Sequence, residues 1–315
     1  MDPTLAAWLA VSESSDDEFI DRLWRLVLRR EVEPDVREDA RARLAGGMSR
    51  SALLQELATS PEFTHVRILD DSVAWAAAQR SADARPRNLV APAGTDERPV
   101  EIPWCLARCG SEARLLDVGY AFAEPAYLAG LLGLGASVTG VDLVAADVPG
   151  LTSVQADIRR LPFPRASFDI VIAISTLEHI GRDNTQYGLP AEDDDRALNA
   201  ALRELRRVLG RSGRLLVTVP TGAGERLPEQ VVLAPESWIE RFEDADFIVW
   251  EDELYELGDE GWHSVPSLTP GLEYGARGPG ASAVLCAELR PRGITTRVQL
   301  AVRDRRYPDD PRRAT

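Results

Sequence analysis

Acids stand where apolar runs stop. Leu115-Leu116 leads into Asp117-Val118-Gly119, the run Ala136–Val141 closes on Asp142, and Thr152–Gln155 is followed by Ala156-Asp157. Asp142 follows Gly119 by 23 positions, the spacing at which a glycine turn and a ribose-binding carboxylate are found. A carboxylate there accepts two hydrogen bonds from a ribose diol. A fourth run, Phe168–Ile174, ends on Ser175-Thr176 and continues Leu177-Glu178-His179-Ile180. Beyond residue 100, His179 and His263 are the only imidazoles available to take a proton at neutral pH. The acidic run Glu192-Asp193-Asp194-Asp195 offers oxygen ligands of the kind a hard cation such as Mg2+ prefers. Cys105 and Cys109 share a helix face, but the third cysteine of an iron–sulfur motif would fall at Glu112; with Cys286 they read as buried thiols packing as small hydrophobes.

Strand, turn, helix, strand, acid is the order of a nucleotide-binding βαβ unit. The Ala/Leu-rich stretch Pro125–Leu134 supplies the helix. Further strands are expected at Thr152–Gln155, Phe168–Ile174, Leu215–Val219, Phe247–Leu254 and Ala283–Leu289, with an amphipathic helix carrying Leu198, Leu202, Leu205 and Leu209 and another over Pro235–Phe242. Alternating strands and helices imply a doubly wound α/β sheet. The last two strands lack a helix between them and are expected as an antiparallel edge pair joined by a long loop, Gly258–Gly280. Loops of that length are commonly functional, which makes His263 a mobile-lid candidate.

The first 80 residues read as a small all-α domain. Ser15 and Glu18 form a capping box before a helix over residues 16–30, in which Phe19, Ile20, Leu23, Trp24 and Val27 recur at helical spacing. A second helix spans about Val36–Leu44, a third starts at Ser49, and a fourth starts at Ser60-Pro61 and runs to about Gln79. Residues 81–99 are a linker by composition, 100–290 the larger domain, and 291–315 a basic tail: from Arg290 to Thr315 eight Arg face three Asp.

In order, Leu115-Leu-Asp-Val-Gly119, Val138-Thr-Gly-Val-Asp142, Gln155-Ala-Asp157 with Leu161-Pro-Phe163, Ser167-Phe-Asp-Ile-Val171, Leu177-Glu-His-Ile180 and Leu209-Gly-Arg-Ser-Gly213 together resemble a class I S-adenosylmethionine-dependent methyltransferase. The resemblance implies a seven-stranded Rossmann-like methyltransferase sheet. It also implies cofactor contacts from Asp117, Gly119, Tyr120, Ala121, Asp142, Leu143, Asp157, Ile158 and Ser175, with Asp142 on the ribose and Asp157 on the adenine amino group. His179 or His263 would be the base. In methyltransferases of the quinone-pathway type Glu-x-x-Glu-His supplies a divalent metal; here Glu178 and His179 match, Ser175 replaces the first Glu, and the acidic run, through Asp194, would complete the set. The usual Gly-x-Gly-x-Gly loop reads Gly119-Tyr-Ala121-Phe-Ala123 here, and alanine restricts positive φ. The segment Gly181–Gly188 resembles methyltransferases of glycan and glycoside biosynthesis, and Tyr187, Trp262 and Tyr274 suit a sugar acceptor. The pattern Phe19-Ile-x-x-Leu-Trp24, Leu44-x-Gly-Gly-x-Ser-Arg50 and Ser60-Pro-Glu-Phe63 resembles an uncharacterised bacterial helical domain, which implies docking or homo-oligomerisation.

Composition narrows the classes. A net charge of −15 argues against general nucleic-acid affinity. No apolar run reaches a membrane span, and Met1-Asp-Pro-Thr lacks the basic start of a signal peptide, so a cytoplasmic protein is expected. The readings are therefore O-methylation of a sugar or glycosylated small molecule, a non-catalytic scaffold whose cofactor site has degenerated, and a nicotinamide oxidoreductase. The last lacks a phosphate-cradling glycine loop.

Overall fold

The computed structural model describes residues 15–293 apart from Ser111 and Pro279, together with Thr296. The chain divides into two compact units, Met1–Ser72 and Val73–Thr315. Most of the basic tail lies outside the described residues.

The first unit is helical. Helix α1 (Asp16–Val27) opens with the expected capping box: Glu18 N donates to Ser15 Oγ at 3.3 Å and Ser15 N to the Glu18 carboxylate at 3.1 Å. Helix α2 (Pro34–Ala45) carries proline in its first turn, where no intrahelical donor is lost, and α3 (Arg50–Ala58) is capped by Ser49. Phe19, Ile20, Leu23 and Trp24 of α1 bury against Ala40, Leu53 and Leu54. The division between the units falls inside α4 (Pro61–Ser81).

The second unit is built on a mixed sheet. Its strands are β1 (Ala91–Pro92), β2 (Arg114–Val118), β3 (Ser137–Asp142), β4 (Thr152–Gln155), β5 (Phe168–Ile174), β6 (Leu209–Pro220), β9 (Phe247–Gly258), β10 (Gly261–Val265) and β11 (Ala283–Pro291), in the order β1-β10-β9-β11-β6-β5-β2-β3-β4. A separate hairpin joins β7 (Glu225–Arg226) to β8 (Val231–Val232). Strands β4, β3, β2, β5 and β6 are parallel, so their carboxyl ends share one edge. Near-continuous apolar composition in β5 follows from burial on both faces. Helices α5 (Arg98–Arg108), α6 (Pro125–Leu132), α7 (Ala197–Val208) and α8 (Pro235–Asp244) complete the unit. Leu198, Leu202 and Leu205 of α7 and Trp238 and Phe242 of α8 pack into the core beneath the sheet.

Three features depart from the sequence reading. Among the described residues the sheet has nine strands, because β10 and β1 extend the expected seven. The expected antiparallel pairing of the last two strands holds, β11 against β9, but the pair is not at the edge, because β11 also pairs antiparallel with β6 and β10 lies beyond β9. The region expected as a long loop begins instead with a tight hairpin: Gly258 pairs with Gly261 across Asp259-Glu260, and Gly261 adopts φ +114°, with a Cβ there only 2.1 Å from Ala91 O. Trp262 is buried and donates its indole N–H to Thr95 O at 3.2 Å, so apolar burial holds β10 in place.

Residues 85–98 are also more than a connector. Arg85 reaches Glu288 at 2.8 Å, Asn88 N donates to Glu253 at 2.9 Å, Leu89 N to the Tyr255 hydroxyl at 3.3 Å, and Ala91 pairs with Trp262. This strap runs along β9 and β11 and delivers Asp96 and Arg98 to the site described below. Among the described residues, no helix is long and apolar enough to cross a membrane.

Candidate active site

Three turns create the site at the carboxyl edge of the parallel strands. After β2 the chain turns at Gly119, φ +84°, where a Cβ would meet Thr176 Oγ1 at 2.5 Å. Only glycine fits. Ala121 and Ala123 need no such freedom: Ala121 sits in a short 3-10 turn (Tyr120–Phe122) and Ala123 has φ −72°. The loop keeps its shape with a single glycine, which removes the structural reason to regard it as degenerate. After β3, Asp142 turns its carboxylate back, accepting from Ala121 N and Val144 N at 3.1 Å each. After β5, Ser175 is held at φ +40° and its hydroxyl donates to the buried Glu101 at 2.7 Å.

These tips surround a cavity of about 350 Å³. Asp117, Gly119, Asp142, Leu143, Asp157, Ile158, Ser175 and His179 all line it. Asp117 is buried; its Oδ1 accepts from the Tyr127 hydroxyl at 2.6 Å, while Oδ2 has no partner. Burial, reinforced by the nearby charge of Asp142, pushes its pKa up to about 7. Asp157 is different. Burial works against its charge, but Arg159 donates from its backbone N–H and its guanidinium, and the carboxyl stays below its ordinary range. Arg159 in turn pairs with Glu192.

His179 sits in the short turn Leu177–His179, with its Nδ1 2.7 Å from Glu229 O. A carbonyl only accepts, so Nδ1 carries the proton and Nε2 keeps the basic lone pair. Burial lowers the pKa, assisted by the charge of Arg98. The imidazole is therefore neutral at pH 7, the form a general base requires.

Several expected residues go elsewhere. Tyr120 turns under the sheet: its ring fills the space beside Gly140, and its hydroxyl donates to Ala146 O and accepts from Ala146 N. Ala121 contributes a backbone N–H and no cavity surface. His263 lies on β10, four strands from β5, with Nδ1 3.2 Å from Gly261 O, and does not reach the cavity. Trp262 is committed to Thr95, and Tyr274 lines no part of the cavity.

The metal set fails on geometry. Glu178 is buried behind the wall, and Asp194 caps its own loop by accepting from Arg196 N. Asp193 and Asp195 pair with Arg182 and Arg226. Arginines thus neutralise Glu192, Asp193 and Asp195, and no metal-holding cluster of His, Cys, Asp and Glu occurs among the described residues. The three cysteines are buried and free, and burial pushes Cys109 up to about 12.

The cavity also has walls that the strand-tip pattern does not mark. Asp96, Arg98 and Ile102 line it from the strap and α5, and Phe122 and Tyr187 from the loops after β2 and β5. Their rings lie 4.8 Å apart, and Tyr187 meets the His179 ring edge-on at 6.2 Å. Available signals were modest: an Arg–Glu pair three apart opening a helix at Arg98, and an aromatic in the loop after Gly119.

Residues 116–217 match the family model of a methyltransferase domain, which supports an S-adenosylmethionine-dependent methyltransferase. No curated protein matches the chain. Among solved structures, the chain is similar to the 1,6-didemethyltoxoflavin-N1-methyltransferase of Burkholderia thailandensis, solved with 1,6-didemethyltoxoflavin and S-adenosylhomocysteine: 16% identity, 75% of this chain and 92% of that one, TM-score 0.42. It is also similar to a putative methyltransferase of Haloferax volcanii in complex with the Trm112 methyltransferase activator, at 17% identity over 72% of this chain and 98% of that one, TM-score 0.43. The [4+2]-cyclase SpnF aligns at 16% identity over 70% and 94%, TM-score 0.45. At this level of likeness none of the three bears on what the present chain acts on.

Proposed function

We propose that this chain transfers a methyl group from S-adenosylmethionine to a hydroxyl of a sugar or glycosylated small molecule. The observation that carries the reading is the convergence of Asp117, Asp142 and Asp157 on one cavity beside the Gly119 turn.

The residues present fit the cofactor. The Asp142 carboxylate is held by two backbone N–H groups and retains lone pairs for a ribose diol. Ile158 and Leu143 offer apolar surface for a base. Asp157 would take the adenine amino group, in competition with Arg159. The orphaned Asp117 Oδ2 suits a cation at the methionine end. When bound, S-adenosylmethionine supplies an electrophilic methyl group on a sulfonium.

The protein's share of the chemistry is orientation and one proton. His179 Nε2 removes the acceptor hydroxyl's proton, while the bond from Nδ1 to Glu229 O holds the tautomer and the ring. Asn184 and Tyr187 give the acceptor side hydrogen-bonding and aromatic surface, which suits a ring with hydroxyls and one apolar face. Calorimetric titration with S-adenosylhomocysteine is expected to show binding, weakened about tenfold or more in Asp142→Ala. No heat at millimolar ligand would sink the reading.

A further inference from the structure

Arg98 belongs to a stretch whose composition marks it as a connector, yet it lines the cavity with its side chain 28% exposed. A run of hydrogen bonds fixes it there. Arg98 N donates to Asp96 Oδ1 at 3.1 Å, Arg98 Nη1 donates to Glu101 Oε2 at 2.6 Å, and the other Glu101 oxygen accepts from Ser175 Oγ at 2.7 Å. The run thereby joins the strap to the tip of β5, a few residues before His179.

The charge around this arginine is unusual. Its guanidinium is already paired with Glu101, and the carboxyl groups of Glu97, Glu178 and Asp96 also lie in its field. What it has left to offer is directional N–H donation, with little pull on an anion. Elsewhere on the wall, the rings of Phe122, Tyr187 and His179 form a row that ends at the imidazole.

We propose that Arg98 and Asp96, together with the Phe122–Tyr187 pair, form the acceptor subsite, and that it takes an uncharged ring with one apolar face and neighbouring hydroxyls, such as a neutral hexoside. This deepens the proposed function and rests on it. Both residues line the cavity, and a guanidinium and a carboxylate on one wall match a vicinal diol, one donating and the other accepting. The aromatic pair covers the C–H face of the ring. A carboxylated sugar would meet Asp96 and an Arg98 that is already paired with Glu101, and a planar phenol would leave Arg98 and Asp96 unused.

The test uses the full-length protein saturated with S-adenosylhomocysteine. Saturation-transfer NMR is run with neutral methyl hexosides, a methyl hexuronide and catechol. Calorimetry of S-adenosylhomocysteine accompanies it on the wild type, Arg98→Gln and Tyr187→Ala, each checked by thermal melting. The expected result is binding of at least one neutral hexoside in preference to hexuronide and catechol. It should weaken about tenfold in either variant while S-adenosylhomocysteine affinity stays within about twofold. Because Tyr187 lies on a surface loop, its variant remains informative even if Arg98→Gln does not fold. Failure to bind S-adenosylhomocysteine at all would overturn the underlying reading and the subsite with it. Cofactor-product binding with no hexoside contact, with preference for hexuronide or catechol, or with unchanged affinity in Tyr187→Ala would overturn the subsite alone.

Discussion

Asp117 shows how one side chain ties stability to ligand binding. Its Oδ2 is buried without a partner, and burial raises its pKa to about 7, above the ordinary value of 3.8. Between those two values the folded chain holds a proton that the unfolded chain has released. Stability therefore declines as pH rises through this window and levels off above it. Asp117→Asn removes the ionisation and leaves an oxygen for the Tyr127 hydroxyl. Its unfolding free energy should fall less than that of the wild type between about pH 5 and pH 8, by an amount on the order of a few kcal/mol. A cation held beside Oδ2 would favour the ionised form. Binding of S-adenosylhomocysteine near pH 6.5 should then release a proton, seen as a calorimetric heat that varies with the buffer's ionisation enthalpy. A buffer-independent heat there, or identical pH profiles for the two proteins, would refute this account of Asp117.

The strap is the element that a local reading could not find. Glu253, nearly buried, accepts from Asn88 N, Trp104 Nε1, Arg108 Nη2 and the Tyr255 hydroxyl. Glu253→Ala strips four donors at once, although Arg108 keeps Glu251 as a partner. The expected loss is about 3 kcal/mol in urea denaturation, with amide exchange in residues 85–98 accelerating more than in β5. Equal exchange in the two segments would refute the anchoring role. The same element explains what was legible in the sequence. Asp117, Asp142 and Asp157 stood out because each ends or follows an apolar run, and that pattern is local. Arg98 and Asp96 did not, because their positions depend on contacts such as Arg85–Glu288, 203 positions apart. His263 was misplaced for a related reason: the Gly- and Pro-rich composition after Gly258 reads as loop, while burial of Trp262 and pairing with β9 make its beginning a strand. Glu192, Asp193 and Asp195 were legible as ligands but not as arginine partners, since Arg159, Arg182 and Arg226 are distant in sequence or lie in other elements.

Over the whole chain, chemistry and helical packing are segregated. Every residue lining the cavity falls between Asp96 and Glu192, whereas the core of the first unit is drawn from Phe19 to Leu54. The first unit thus has a core of its own, which makes its folding a problem that can be separated. A chain beginning at Ser60 keeps α4 whole and retains its cap, since Phe63 N donates to Ser60 Oγ at 3.1 Å. This shortened protein should fold and bind S-adenosylhomocysteine within about threefold of the full chain, because no residue at the cavity has been removed. On its resemblance to an uncharacterised bacterial helical domain alone, we propose docking or self-association for the helical unit. Sedimentation should therefore show an oligomer for the full chain and a monomer for the shortened one. Each measurement addresses one assignment. Loss of binding in a folded shortened protein would show that the first unit shapes the site after all, and equal sedimentation of the two proteins would dismiss self-association through its helices.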